Sequence, residues 1–303
     1  MTQTSPARQV APAPAVGQQP AGHARLAPAS EVGVVTWNVQ HASVSRSADQ
    51  VAWLAQEPTA DLLVLTEVGH GPGGTALCDA LGAAGYQVVD PSPGGGDYRT
   101  VLASRHSGLT CLGSLTQVFP HRTPVAQLTI GTVPVVLSGL YVPSRGRPAR
   151  RNVDKRAVQE AVSRALPALV AQHRGPVVVA GDLNVVDRGH RPHHKVFGPW
   201  EYGFYDSFAA AGLTDAYLAH HTPGTDHDHS WFGRAGTGYR FDHAFLTSAH
   251  RRHLTACAYL HTPRLTGLSD HSALSLLLRL PSPPAGAPAH PAADHPPTEG
   301  NRT

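Results

Sequence analysis

The segment PVVVAGDLN, residues 176–184, is a run of β-branched and small apolar side chains that ends in a carboxylate and an amide. The run predicts a strand buried on both faces, because no polar side chain interrupts it before Asp182. Asp182 and Asn184 are two residues apart in an extended segment, so their side chains project to the same side. The segment therefore predicts a buried strand that carries polar groups to one edge of a sheet.

Seven further apolar runs predict strands in the same way. They occupy residues 33–38, 61–67, 99–104, 125–130, 133–142, 241–246 and 272–280. The runs on either side of Gly131 predict a β-hairpin with that glycine in its turn. Helical periodicity is present in residues 48–56, 75–84 and 154–172, and in the last of these Val158, Val162, Leu166, Leu169 and Val170 share one face. Because strand pairs outnumber helices, we expect a sandwich of sheets with helices outside.

Composition excludes several classes of protein. The 303 residues contain neither a Walker loop nor an apolar stretch long enough to span a membrane. Three cysteines without CxxC spacing predict neither a disulfide framework nor a thiolate zinc site. The first 30 residues lack the basic start and apolar run of a secretory signal. These features predict a cytoplasmic protein that makes no membrane contact, and we expect a monomer.

The chain divides into one domain and two tails. Residues 1–30 and 281–303 are rich in Ala and Pro and have no apolar periodicity. Such segments bury too little apolar area to offset the entropy of ordering them, so both are predicted to be disordered. Residues 31–280 have the size of one large domain.

Polar residues end several of the predicted strands or directly precede the last one. They are Asn38, Glu67, Tyr141, Asp182, Asn184, Asp242, Asp270 and His271. Strand ends can gather at one edge of a sheet, so these side chains can converge although they are distant in sequence. Carboxylate and amide oxygens without cysteine suit Mg²⁺ or Mn²⁺ better than zinc.

Six ordered motifs within residues 31–280 resemble those of the endonuclease/exonuclease/phosphatase superfamily. They are TWNVQ (36–40), LTE (65–67), YVP (141–143), GDLN (181–184), FDHAFL (241–246) and LSDHSAL (268–274). Six motifs in order are far more specific than any one of them. The resemblance implies a four-layered αββα sandwich, with two packed mixed β-sheets flanked by helices. It also implies hydrolysis of phosphate esters with a divalent metal.

The resemblance implies a role for each polar strand-end residue. Glu67 would be the principal metal ligand, Asn38 would complete or steady the metal site, and Asp270 would lie near the metal. Asp182 would deprotonate the attacking water, while Asn184 would hydrogen-bond the phosphate. His271 would contact the scissile phosphate, and Asp242 would fix its imidazole. His243 is expected on the opposite face of the strand and is interpreted as structural.

Tyr141 bears on the kind of substrate. A tyrosine with Pro143 two residues later is similar to exodeoxyribonuclease III and abasic-site endonucleases, and the resemblance implies that its hydroxyl acts on the phosphate or the leaving oxygen. In DNA-acting members, however, the residues after this asparagine are often Asn-Gly. Here Asn38 is followed by Val-Gln-His-Ala, which includes His41. Substrate identity is therefore less firmly predicted than the chemistry.

Basic and aromatic residues are the candidates for substrate binding. The stretch SRGRPARRNVDKR, residues 144–156, carries six basic residues against one acid. Beside the metal edge, Arg145, Arg147 and Arg150 would contact phosphates, although a solvated loop and helix start would look the same. Trp231 and Arg240 lie in a segment similar to the Ser-Trp stretch of exodeoxyribonuclease III relatives, where they would contact DNA or serve in packing. Loop histidines such as His190 and His194 lack regular ligand spacing, so we interpret them as solvated side chains and not as metal ligands.

These observations predict a Mg²⁺- or Mn²⁺-dependent phosphodiesterase that acts on DNA, of the exonuclease III or abasic-endonuclease kind. A second hypothesis keeps the same site but assigns a small or lipid phosphoester as substrate. The sequence shows no basic amphipathic helix with exposed aromatic residues, which a lipid-bound enzyme would use. A third hypothesis is a nucleic-acid-binding protein without activity, which would not require Glu67, Asp182 and His271 together.

Overall fold

The computed structural model describes residues 30–91, 98–145, 149–221 and 228–281, with backbone only at 149–151. Both predicted disordered tails, apart from Ser30 and Pro281, lie outside the described residues. Within the described part of the chain, no helix has both the length and the apolar character needed to cross a membrane.

The described residues form fourteen strands and six α-helices. The strands are β1 Ser30–Asn38, β2 Leu62–Gly69, β3 Gln87–Val89, β4 Tyr98–Ser104, β5 Thr110–Ser114, β6 Pro124–Ile130, β7 Val133–Tyr141, β8 Val177–Asp182, β9 Leu213–Asp215, β10 Trp231–Phe232, β11 Gly238–Tyr239, β12 Asp242–Thr247, β13 Leu254–Leu260 and β14 Ala273–Leu280. The helices are α1 Val44–Gln56, α2 Pro72–Ala83, α3 Ala149–Gln172, α4 Pro199–Ala210, α5 Ala216–His220 and α6 Thr262–Leu265.

Twelve of the strands form two six-stranded mixed sheets. The first has the order β13-β14-β1-β2-β4-β3 and the second the order β5-β6-β7-β8-β12-β9. In each sheet one central pair is parallel, β1 with β2 and β7 with β8, while the neighbouring strands are antiparallel. The remaining two strands, β10 and β11, form a short ribbon.

The two sheets pack face to face, and helices cover their outer faces. Apolar side chains of β1, β2, β7 and β8 meet in the core between the sheets. Outside the first sheet, Val51 and Leu54 of α1 and Leu77 of α2 pack on its strands. Outside the second sheet, α3 and α4 pack in the same way. This arrangement confirms the predicted two-sheet sandwich flanked by helices.

The apolar face predicted for residues 154–172 is present in α3. Val158, Val162 and Leu166 are fully buried against the second sheet. The predicted hairpin is also present, because Ile130 pairs with Val133 across a two-residue turn. Gly131 in that turn has a φ of 62°, a conformation that glycine adopts without steric cost.

Candidate active site

The strand directions bring the predicted polar residues to one edge of the sandwich. Parallel β7 and β8 end together at Tyr141 and Asp182, which are paired in register. Antiparallel β12 begins at the same edge, so Asp242 is also paired with Asp182. In the other sheet, Asn38 ends β1 beside β2, which carries Glu67. The convergence expected from the sequence is therefore observed.

Asp182, Asp242 and His271 form a buried acid–base cluster. The Nδ1 atom of His271 lies 2.7 Å from Oδ2 of Asp242, a distance at which the imidazole N–H donates to the carboxylate. One potential ligand atom from each of the three residues lies within 4.8 Å of the others. Asp242 is fully buried, and its Oδ1 accepts no hydrogen bond from any described residue. The buried Asp242 carboxylate therefore needs a positive charge nearby, and the imidazolium of His271 supplies it.

Burial and mutual charge set the protonation of this cluster. Burial, and then the neighbouring Asp242 carboxylate, raise the pKa of Asp182 above its usual range. Burial opposes a charged imidazole, but the Asp242 carboxylate and its hydrogen bond outweigh burial and raise the pKa of His271. The deprotonated form of Asp182 is thus a stronger base than an ordinary aspartate, and the Asp242 carboxylate favours the imidazolium form of His271.

Three hydrogen bonds fix the Asp182 carboxylate. Oδ2 accepts from Nδ2 of Asn38 at 2.9 Å and from Nδ2 of Asn184 at 3.1 Å. Oδ1 accepts from the backbone N–H of Asn184 at 2.8 Å. Asn184 adopts a φ of 49°, which turns its side chain back toward the strand end. Both asparagines therefore orient the proton-accepting group, and Asn184 also lines the pocket in front of it.

Glu67 and Tyr141 join the two sheets at the edge of the site. The Tyr141 hydroxyl donates a 2.7 Å hydrogen bond to Oε1 of Glu67. The guanidinium of Arg122 lies 4.8 Å from the centre of the Tyr141 ring. Burial, and then the Glu67 carboxylate, hold the pKa of Tyr141 well above its usual range, so the hydroxyl remains a proton donor. Glu67 itself has a φ of 56°, a strained conformation of the kind found at functional sites.

Two sets of side chains have the chemistry to hold a divalent cation. Glu67, Asn38 and Asp270 offer oxygen ligands, the kind that Mg²⁺ and Mn²⁺ prefer. The Tyr141 hydroxyl binds Oε1 of Glu67, which leaves Oε2 to bind a cation. The Oδ1 atom of Asn38, by contrast, already accepts the Gln40 N–H at 2.9 Å. Asp270 is half exposed, and its Oδ2 accepts from the Trp231 indole at 3.0 Å.

The second set is the acid–base cluster itself. There, His271 Nδ1 and both Asp182 oxygens are already engaged in hydrogen bonds within the protein. A cation would have to displace or share these contacts. The set that contains Glu67 therefore fits a divalent cation better.

A pocket of about 400 Å³ opens in front of these groups. One wall is polar and contains Glu67, Asp182, Asn184, Asp270 and His271. Another part of the lining is aromatic: the ring of Phe241 stacks on Tyr239 at 4.9 Å and on Trp231 at 5.6 Å between centroids. Arg145 completes the rim. The pocket thus combines an anion-handling wall with flat apolar surfaces that suit a sugar or a base.

Arg145 is positioned by a buried carboxylate. Its guanidinium donates to Oε1 of Glu201 and lies 3.2 Å from Oε2 of the same residue. Glu201 also binds Lys155, whose Nζ lies 2.6 Å from Oε1 and 2.8 Å from the carbonyl of Asn184. Lys155 belongs to the basic stretch 144–156 that was predicted to contact phosphates, but it is fully buried and so cannot do so. Its packing against α4 explains this, because it shares the apolar face of α3 with Val158.

The predicted substrate contact of Arg240 is wrong, and this residue has the packing role that was the alternative. It is fully buried, and its guanidinium lies 2.9 Å from Asp187 and 3.0 Å from Asp215. Burial alone would raise the pKa of Asp215, but the Arg240 charge and hydrogen bonds from His243 and Tyr205 hold it well below its usual range. Arg240 therefore ties together the segments behind the aromatic wall. His243 joins this network, in agreement with its structural interpretation.

The other residues predicted to bind substrate are Trp231, Arg147 and Arg150. Trp231 lines the pocket, as expected. Arg147 lies outside the described residues, and the side chain of Arg150 is not described. Sequence reasoning missed Tyr239 and Phe241 in the aromatic wall. The alternation of aromatic and polar residues just before Asp242 was the signal that could have revealed them.

The fold and the site together define a phosphoester hydrolase. The sequence model of the endonuclease/exonuclease/phosphatase family matches residues 35–271, more than three quarters of the chain. The chain belongs to that family. No curated protein sequence matches it significantly.

Solved structures share this fold at low sequence identity. A 3′–5′ exonuclease from Neisseria meningitidis is 22% identical with a TM-score of 0.67, over 82% of this chain and 100% of that one. A 3′ phosphatase from Neisseria, bound to a product DNA hairpin, is 22% identical with a TM-score of 0.66, over 81% and 98%. An AP endonuclease from Archaeoglobus fulgidus is 21% identical with a TM-score of 0.65, over 82% and 99%. At these identities the likeness establishes the common fold.

Proposed function

We propose that the protein hydrolyses phosphodiester bonds in DNA, from 3′ ends or at abasic sites, with the help of Mg²⁺ or Mn²⁺. The observation that carries the proposal is the presence of Asp182 and the His271–Asp242 pair in the same pocket as an aromatic wall. The polar wall has the groups for hydrolysis of a phosphoester, and the aromatic wall has surfaces for a nucleotide. The acid–base residues keep the roles expected from the sequence.

The chemistry follows from the protonation of these residues. In its deprotonated form, Asp182 accepts the proton of the attacking water, and burial makes that form more basic. The imidazolium of His271 donates from Nε2 to a phosphoryl oxygen, while Asp242 holds the ring through Nδ1. Tyr141 carries a proton that can be donated to the departing oxygen. The chemistry that a divalent cation supplies when bound by Glu67 and Asn38 is neutralisation of the charge on the phosphate.

Several features favour DNA as the substrate. The aromatic wall offers flat faces, and Arg145 at the rim offers a guanidinium suited to a phosphate. The similar structures include an exonuclease, an AP endonuclease and a 3′ phosphatase bound to DNA. Among the described basic side chains of residues 144–156, Lys155 is buried and Arg156 is paired with Glu160, whereas Arg145 lines the pocket.

Glu67→Gln should reduce DNA cleavage by about 100-fold, because the substitution removes the negative charge from the proposed cation site. The measurement is gel-resolved cleavage of a labelled duplex with one abasic-site analogue, beside undamaged and 3′-recessed duplexes, in Mg²⁺, Mn²⁺ or chelator. Incision beside the analogue, in the strand that carries it, would identify an abasic endonuclease, and a ladder from the 3′ end would identify an exonuclease.

Glu31→Gln is the matched control, since Glu31 is a half-exposed glutamate whose side chain pairs with Arg279. This variant should cleave like the wild type. If folded wild-type protein cleaves none of the DNA substrates but hydrolyses small or lipid phosphoesters, the second hypothesis from the sequence would replace the first. Wild-type cleavage by Glu67→Gln would contradict the assigned cation site.

Cytoplasmic location and a monomeric state remain predictions.

Trp231→Ala should raise KM for DNA about tenfold with a smaller change in kcat, because stacking of one base on an aromatic ring contributes about 1–3 kcal/mol to binding. Steady-state kinetics on the cleaved duplex measure both constants. Trp231→Phe keeps a ring but loses the indole hydrogen bond to Asp270, so it should retain most of the affinity. An unchanged KM for Trp231→Ala would show that the aromatic wall does not touch the substrate.

A further inference from the structure

We propose that His41 supplies a nitrogen ligand to the divalent-cation site at Glu67, so that the site prefers Mn²⁺ or a later transition metal to Mg²⁺. The proposal rests on the cation site of the proposed function and adds a residue to it. Nδ1 of His41 lies 3.6 Å from Oε2 of Glu67. Metal–nitrogen and metal–oxygen bonds of about 2.1 Å allow one cation to contact two atoms at that separation.

The backbone holds these two residues together. The N–H of His41 donates to the carbonyl of Glu67 at 2.9 Å. Both residues are in the left-handed region, with φ of 37° for His41 and 56° for Glu67. Left-handed backbone is uncommon for residues other than glycine, and such strained residues cluster at functional sites.

The free atoms of the pair face one another. Oε1 of Glu67 accepts the Tyr141 hydroxyl, which leaves Oε2, the atom nearest His41, as the oxygen for a cation. The imidazole of His41 is stacked on Tyr98, with 5.0 Å between ring centres and 25° between planes. Its side chain is 53% exposed, so a cation from solvent can reach it.

The neighbouring residue Gln40 is directed elsewhere. Its side-chain oxygen accepts from the guanidinium of Arg46 at 3.3 Å, on helix α1. Of the residues that follow Asn38 in this loop, His41 is therefore the one whose side chain contacts Glu67. Imidazole is a good ligand for transition metals, whereas Mg²⁺ selects oxygen ligands and water. A site with one carboxylate and one imidazole should discriminate between these cations.

Direct metal binding tests the proposal without any substrate. Electron paramagnetic resonance of free Mn²⁺ gives its Kd for the whole protein, and competition by Mg²⁺ gives the second Kd. We expect His41→Ala to weaken Mn²⁺ binding at least tenfold and Mg²⁺ binding less than about threefold. Pulsed resonance of bound Mn²⁺ should show coupling to an imidazole nitrogen in the wild type and in His271→Ala, but not in His41→Ala.

Two further variants keep the test decisive. His41→Asn tolerates left-handed backbone and replaces the nitrogen by an amide oxygen, so it should narrow the difference between Mn²⁺ and Mg²⁺. His253→Ala, on another part of the surface, should bind both ions like the wild type. Unchanged Mn²⁺ affinity and nitrogen coupling in His41→Ala would overturn the proposal, and so would an equal loss for both ions.

Glu67→Gln separates this proposal from the proposed function. If Glu67→Gln loses Mn²⁺ but His41→Ala does not, the cation site stands and only the role of His41 is overturned. If Glu67→Gln binds Mn²⁺ as tightly as the wild type, the cation lies elsewhere. Both the assigned cation site and the role of His41 are then overturned.

Discussion

Asp182→Asn is expected to lower kcat by about 10³- to 10⁴-fold, because an amide cannot accept the proton of the attacking water. The loss should be catalytic and not a loss of fold. Asn38 and Asn184 donate three hydrogen bonds to the carboxylate, and an amide oxygen can keep part of this set. Its NH2 group would face at least one donor, at a cost of about 1–3 kcal/mol of stability.

Single-turnover cleavage of the best DNA substrate measures this effect, and circular dichroism monitors the fold. Asp206→Asn is the matched control, because Asp206 is a surface carboxylate paired with Arg188. Mn²⁺ affinity should change far less in Asp182→Asn than in Glu67→Gln, if the two residues have separate roles. An Asp182→Asn enzyme with a tenth or more of the wild-type kcat would refute proton acceptance by Asp182.

Arg240→Met is expected to reduce the free energy of unfolding by about 3–5 kcal/mol, because it leaves two buried carboxylates without their cation. Asp187 and Asp215 both lie within 3.0 Å of the guanidinium and are almost fully buried. Urea unfolding at neutral pH measures the loss, which corresponds to a fall in Tm of roughly 6–20 °C. Arg188→Met removes an exposed pair with Asp206 and should leave the midpoint unchanged.

The pH dependence of this loss has a definite sign. In the wild type, Arg240 lowers the pKa of Asp187 and Asp215, so their contribution is present above about pH 4 and is lost as the pH falls further. In Arg240→Met, burial raises the pKa of both carboxyls, so acid protonates them and relieves the buried charge. The difference in stability between the two proteins should therefore narrow from pH 7 to pH 4. If Arg240→Met were as stable as the wild type but bound DNA weakly, Arg240 would instead be a substrate-binding residue.

Much of the site could be predicted because strand ends are visible in a sequence. The apolar run before Asp182 and the run that contains Glu67 each mark a buried strand, and polar groups at such ends converge in a sheet fold. The side chains that were misplaced depend on distant partners. Arg240 binds Asp187 and Asp215, at positions 53 and 25 residues away in sequence, and no local pattern indicates that pairing.

Lys155 shows a different limit of sequence analysis. Its charge favoured a place in the basic patch, but its position three residues before Val158 puts it on the buried face of α3. Glu201 on another helix and the carbonyl of Asn184 accept hydrogen bonds from its ammonium group and make that burial tolerable. Short strands such as β3 and β9 were also missed, since three residues carry too little periodicity to be recognised.

The position of the last strand has a consequence for synthesis of the protein. Strand β14 lies inside the first sheet, between β13 and β1, and pairs with β1 over seven residues. A ribosome makes β1 some 240 residues before β14, so the edge of β1 that pairs with β14 stays open while the residues between them are made. His271 lies two residues before β14, so we expect its contact with Asp242 to form only when that strand docks. We therefore expect slow folding, a requirement for protection of nascent β1, and no activity before β14 has docked.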